Sequence, residues 1–129
     1  MELTYRQLVD TEKLVGELLQ LKPAPTARLA AQIARNIRKV EGQLKDFNAA
    51  KSVLLTPHMV DGKYDEALLE PDVKVALYKE YDELLDTVVE VDIHPIKLSD
   101  IEAVEQARPG FEIPTALYYA LDWLFDFDH

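Results

Sequence analysis

Apolar residues recur along this chain with two different periods, and the changes of period divide it into elements. Thr4 followed three residues later by Gln7 is a capping box, and Leu8, Val15, Leu18 and Leu19 then recur at helical spacing, which predicts a first helix over about residues 5–21. Lys22-Pro23-Ala24-Pro25 stops it, because each proline lacks an N–H and biases its predecessor away from the helical region. Thr26 then caps a long second helix. Its apolar positions Ala30, Ile33, Ile37, Val40, Leu44, Phe47 and Leu54 step by three and four as a heptad seam, with Lys51 intruding. At about 1.5 Å per residue this helix runs about 45 Å. It is either the spine against which the rest packs or part of a coiled coil between chains.

The second half changes period more often. Thr56-Pro57 breaks the long helix, and Asp61-Gly62 between His58-Met59-Val60 and Lys63-Tyr64-Asp65 reads as a tight hairpin turn. After a short turn at residues 66–69, Asp72 caps a third helix whose buried stripe is Val73, Leu77, Leu84, Leu85 and Val88. Val89, Val91 and Ile93 then alternate with Glu90, Asp92 and His94 up to Pro95, which predicts a short strand with one buried face, paired to the stretch around residues 55–64. Ser99 with Glu102 makes a second capping box, opening a short helix that stops at Arg108-Pro109-Gly110. Pro114 opens a last helix in which Leu117, Leu121, Leu124 and Phe125 face one way. Tyr118, Tyr119, Trp123 and Phe127 fall partly off that stripe among Asp122, Asp126 and Asp128, so the end is aromatic and acidic together. The expected fold is a mainly α single domain over 1–129 with a small β hairpin or short sheet. Its long-helix half is 1–55 and its acidic helix-strand-helix half is 56–129.

Charge sharpens this division. Residues 26–55 carry six Lys/Arg against two Asp/Glu, whereas residues 56–129 carry five against eighteen, within a chain of net charge −10. A cationic helix on an anionic molecule needs an internal acidic face, an external partner, or plain solvation of its back. Arg28, Arg35, Arg38, Lys39 and Lys45 lie on the side away from the seam. The mean negative field disfavours direct contact with nucleic acid or anionic membranes and favours basic protein partners. A chain of 129 residues buries about two thirds of its unfolded surface and needs no covalent staple, and the absence of cysteine fits an intracellular life. Residues 1–10 carry no apolar run of the kind that directs secretion.

Catalytic chemistry finds little support. His58, His94 and His129 share no helical spacing with a carboxylate pair, so no metal site is expected. Gly16, Gly42, Gly62 and Gly110 belong to no phosphate-cradling motif, and neither Ser52 nor Ser99 sits in a nucleophile elbow. Carboxylates such as Asp82, Glu83 and Asp86, or Glu90 and Asp92, are too abundant to single out an acid–base pair and read as a solvated face. No catalytic residue, cofactor or metal is expected. The candidate partner-binding residues are Asp82, Asp86, Glu90 and Asp92 on the acidic face, and Tyr119, Trp123, Asp126 and Phe127 at the aromatic end.

Four stretches carry a resemblance: Glu80-Tyr81-Asp82-Glu83-Leu84-Leu85-Asp86, Val89-Glu90-Val91-Asp92-Ile93, Ile96-Lys97-Leu98-Ser99-Asp100-Ile101-Glu102, and Pro114-Thr115-Ala116-Leu117 through Leu121-Asp122-Trp123-Leu124. With the long basic helix around Ile33-Ala34-Arg35-Asn36-Ile37, they resemble an uncharacterised family of small proteins encoded by tailed bacteriophages and prophages. The Asp61-Gly62 turn is shorter here than the matching region of that family. The resemblance implies a bacteriophage setting and transfers no activity or catalytic residue. It leads to a non-enzymatic interaction protein that binds and modulates a host factor or defence complex in the bacterial cytoplasm, through an acidic face that imitates nucleic acid. The alternatives are a virion structural or assembly accessory that forms homo-oligomers through the long helix, and an enzyme of unrecognised type.

Overall fold

The computed structural model describes residues 1–127, and among them the chain is 66% helical, with five helices and sheets of only two strands. The first strand, β1 (Glu2–Thr4), leads into α1 (Tyr5–Leu19), where Thr4 and Gln7 form the expected capping box, with both of its hydrogen bonds present. The prolines follow, with a cis Lys22–Pro23 peptide. The long helix α2 (Ala27–Leu55) starts on Thr26, whose hydroxyl accepts from the Leu29 N–H, and spans about 43 Å.

Three zones follow one another along this helix. Near its start, Leu29 and Ile33 pack with Val15 and Leu18 of α1 and with Ile101, Val104, Leu117, Leu121 and Leu124 from the end of the chain. In the middle, Val40, Leu44 and Phe47 pack with Leu3, Tyr5, Leu8, Leu85, Val91 and Ile93. Early α1 thus meets late α2, so the two run antiparallel, and α2 is the spine of one chain. Burial of this kind stabilises by about 25 cal/mol per Å² of apolar surface removed from water. The third zone has no core, because no residue from Asn48 to Ala76 is buried.

The seam differs in detail from the expected one. Leu29 and Asn36 are buried, while Ala30, Ile37 and Leu54 are half-buried. A straight helix of 3.6 residues per turn drifts away from a strict seven-residue repeat, which brings 29, 33, 36, 40, 44 and 47 onto the inner face. Lys51 is half-buried, and its ammonium lies 5.7 Å from the centroid of the Tyr81 ring.

The hairpin forms as expected: β2 (Met59–Val60) pairs antiparallel with β3 (Lys63–Tyr64). Asp61 and Gly62 have φ of 52° and 75°, the left-handed conformation that a two-residue hairpin of type I′ requires at both positions. The third helix, α3 (Pro71–Leu85), starts on Glu70 with Pro71 in its first turn, not on Asp72. Proline needs no N–H partner there, and its fixed φ suits helix entry. Only Leu77 and Leu85 of the expected stripe are buried, and Val88 already belongs to the strand β4 (Val88–Glu90).

That strand pairs with β1, not with residues 55–64: Glu2 lies opposite Glu90, Leu3 opposite Val89 and Thr4 opposite Val88. Burial explains the choice. Pairing with β1 covers Leu3 and Tyr5 within the second cluster, whereas the hairpin stands beyond the core. A short strand β5 (Ile96–Lys97) precedes α4 (Leu98–Ala107), which starts on Lys97 without a side-chain cap, so Ser99 lies inside the helix. The last helix, α5 (Thr115–Ala120), is only six residues long. A 3₁₀ turn at Asp122–Leu124 and the strand β6 (Phe125–Asp126), parallel to β5, follow it. Leu117, Leu121, Leu124 and Phe125 are all buried together, but not on one continuous helix.

Candidate functional site

Asn36 joins the two clusters, and it is the buried polar residue best served by hydrogen bonds. Its amide donates to the carbonyls of Gln32 (3.2 Å) and His94 (2.9 Å), and its carbonyl accepts from the His94 N–H (2.8 Å). The extended segment after β4 carries Val91 and Ile93 into the second cluster and Ile96 into the first, so Asn36 pins the chain where it crosses between them. A side chain that satisfies two backbone groups in this way fixes the path of a segment that no sheet holds.

The carboxylates of the acidic face sit along one edge, each beside a cation. Asp82 and Asp86 flank Arg6 at 3.6 and 3.2 Å, and their hydrogen bonds and charges raise the Arg6 guanidinium above its ordinary value. Glu90 pairs with the Met1 ammonium, and Asp92 lies 3.8 Å from Lys39 and 3.5 Å from His94. The basic helix is accordingly in part an internal platform. Besides Lys39, Arg28 reaches Asp100 at 4.0 Å and Arg35 lies 3.0 Å from the His94 ring, whereas among the described residues no ion pair reaches Arg38 or Lys45. At least one member of each ion pair is largely exposed, so each contributes at most about 1 kcal/mol.

The aromatic end divides. Tyr118, Phe125 and Phe127 form a cluster, with the Tyr118 ring 4.9 Å from Phe125 and 6.0 Å from Phe127. Burial, then the charges of Glu105 and Glu112, push the Tyr118 phenol up. Trp123 is half-buried and packs on both core clusters, whereas Tyr119 is 80% exposed. Asp126 lies in β6, opposite Lys97. Asp128 and His129 lie outside the described residues.

The strongest surface feature is one that the sequence reading did not single out. A cleft of about 500 Å³ opens between the end of α2 and the start of α3. One wall is Ala50, Val53, Leu54 and Pro57, and the other is Val73, Ala76, Leu77 and Leu84, with Glu80 among them. Each wall steps by three and four, so each is one apolar stripe of a helix. Among the described residues, seven of the thirteen exposed large hydrophobics, from Val53 to Tyr78, belong to this end of the molecule. The available signal was apolar residues beyond the width of one buried stripe, such as Val53 beside Leu54 and Val73 beside Val75.

The opposite side of the same two helices holds a smaller pocket of about 250 Å³ lined by Lys51, Tyr64, Glu66, Tyr78 and Tyr81. A hydrogen bond to Glu66 pushes the Tyr78 phenol up to about 12. Partial burial, then the same carboxylate, raises Tyr64. A third recess of about 230 Å³, between α2 and α4, is lined by Arg28, Gln32 and Asp100. There Gln32 donates to Asp100 at 3.2 Å, while its own side-chain oxygen is buried without a hydrogen-bond partner among the described residues.

Among the described residues no group of three or more His, Asp or Glu is placed to hold a metal ion, and no helix is long and apolar enough to cross a membrane. No family model, no curated protein and no solved structure matches this chain.

Proposed function

We propose that this protein acts by stoichiometric binding of another protein, with the end of the molecule from Asn48 to Ala76 as its working surface. The observation that carries this reading is the absence of any buried residue over those positions, combined with the concentration of exposed apolar side chains there. A stretch of helix, hairpin and helix that adds no core to its own chain, yet exposes Val53, Leu68 and Val75, has the composition of a contact surface. The acidic edge supports the same reading in a second role. Its carboxylates are individually beside cations, so they set the field around the molecule and the rate of encounter more than they anchor a partner. The bacteriophage setting rests on the resemblance of the C-terminal half, and within it the partner is a host factor or a defence complex.

The test is affinity purification of the full chain from an expressing bacterium beside a variant carrying Val53→Asp and Leu68→Asp. Both positions are exposed, so circular dichroism and melting temperature stay unchanged while a stoichiometric partner disappears. A partner that survives these changes, and is lost with Tyr119→Ala and Phe127→Ala or with Asp82→Asn and Asp86→Asn, moves the working surface to those residues.

A further inference from the structure

We infer that the cleft between α2 and α3 takes a basic amphipathic helix from the partner, laid along the two helices as the third member of a bundle. This rests on the protein-binding reading above and names the chemistry of its partner. The two walls are antiparallel helices, since Phe47 and Tyr81 meet deeper in the molecule while Pro57 faces Val73 at the open end. From Val73 to Leu84 the α3 wall covers eleven steps, roughly 16 Å, which is about three helical turns. Two apolar stripes at helical spacing, facing a common space, are the template for a third helix with anchors at i, i+3 or i+4, and i+7. A flat strand would fill that space poorly, and the nearest sheet edges belong to the two-residue strands of the hairpin.

Charge selects the occupant. Glu80 projects from the α3 wall between Leu77 and Leu84, and among the described residues no ion pair reaches it. Glu80 is the one carboxylate in a lining that holds no lysine or arginine and whose other polar side chain is His58, on a molecule of net charge −10. A second copy of this chain would bring an equal negative charge and a second Glu80 to the contact. A lysine- or arginine-bearing helix would instead pair with Glu80 where desolvation by the apolar walls strengthens the attraction.

The experiment uses the full chain, isotopically labelled at methyl groups, and a labelled peptide of three to four turns with a leucine stripe and flanking lysines. Its controls are the same composition with the stripe scrambled and the same stripe flanked by glutamate. The expected result is saturable one-to-one binding of the lysine peptide alone, with methyl shifts confined to Val53, Leu54, Val73, Ala76 and Leu77. Val53→Asp weakens it at least about tenfold, because a carboxylate is forced into the apolar contact. Glu80→Gln weakens it roughly two- to fivefold and flattens its salt dependence, while Val88→Asp, exposed on β4 and away from the cleft, leaves it unchanged. Equal binding of the scrambled peptide, or shifts spread over the acidic edge, reduces the effect to charge attraction and overturns the inference. So does a dimer in sedimentation that Val53→Asp dissociates, which would assign the cleft to a second copy. If the lysine peptide fails while Val53→Asp with Leu68→Asp still removes a captured partner, the helical specificity is wrong and the protein-binding reading stands. If neither the peptide nor any partner responds to the distal variants, both fall.

Discussion

Replacing Asn36 by alanine tests the account of how the two clusters are joined. The change deletes three hydrogen bonds and leaves the N–H and carbonyl of His94, both partly buried, without their protein partners. An orphaned buried backbone group costs about 1–3 kcal/mol, and partial access of water places each loss near the lower end. The sum, with a small void at a position only 2% exposed, comes to about 2–4 kcal/mol. For a chain of this length that lowers the melting temperature by roughly 8–15 °C. Urea titrations followed by circular dichroism and by the fluorescence of Trp123 measure it directly. Asn36→Asp supplies the internal control. It keeps an acceptor for the His94 N–H but turns the donor into a charge facing two carbonyls, so at pH 7 it is worse than alanine. Its carboxyl then titrates above the unfolded value of about 3.9, and the penalty is relieved as pH falls through that raised value, since the native state binds the extra proton. Comparison with the parent chain at each pH removes the contributions common to both. An alanine cost below about 0.5 kcal/mol, or an aspartate variant no worse than alanine at pH 7, refutes the reasoning.

Other expectations follow from the same packing. Leu44→Ala, at a buried position of the second cluster, costs about 2–5 kcal/mol in a denaturant titration, and a loss under about half a kcal/mol would put that face of α2 outside the core. Trp123→Ala, which strips a contact from both clusters, lowers the melting temperature by several degrees; an unchanged melting temperature with weakened partner binding would make Trp123 a surface anchor instead. Tyr78 ionises near 12 in an ultraviolet titration because its phenol donates to Glu66, and Glu66→Gln returns it toward 10. Because its folded value lies above the unfolded one, the stabilisation tied to that proton is complete below about pH 10 and is lost as pH rises toward 12. Arg6→Ala changes stability by no more than about 1 kcal/mol and mostly at low salt, since its two carboxylate partners are exposed; a larger loss at high salt would mean that the aliphatic stem carries the effect.

Local signals were legible wherever one residue type has one mechanical meaning. The Thr4/Gln7 capping box, the proline break, the Thr26 cap, and the Asp61-Gly62 turn with its two positive φ angles all stand where the residues put them. Pairing was not legible. Strand β4 chose β1, more than eighty residues away, because Leu3 and Tyr5 needed the cover that β4 gives, and no local pattern encodes that need. Capping motifs misled where the helix began earlier than the motif: Lys97 and Glu70 occupy the start positions that Ser99 and Asp72 suggested for themselves. Of the candidate contact residues, Tyr119 and Phe127 lie at the surface and Trp123 lies against the core, a distinction that depends on where α5 stops. The cleft escaped notice because its walls come from two helices whose apolar residues were each counted toward burial.

The antiparallel pairing of β1 with β4 also fixes the order in which the chain is completed. The hairpin and the α1–α2 contact close over short stretches, but Glu2 meets Glu90 only across most of the sequence. Loop-closure entropy for a span of that size is about 4 kcal/mol, against far less for the hairpin. During synthesis, α1 and α2 can meet while Leu3 and Tyr5 still lack their cover, and they keep lacking it until the segment through Ile93 has emerged. The growing chain is therefore a half-covered helical pair for much of its elongation; the second cluster can close once Ile93 has emerged, and the first, which needs residues through Phe125, closes last.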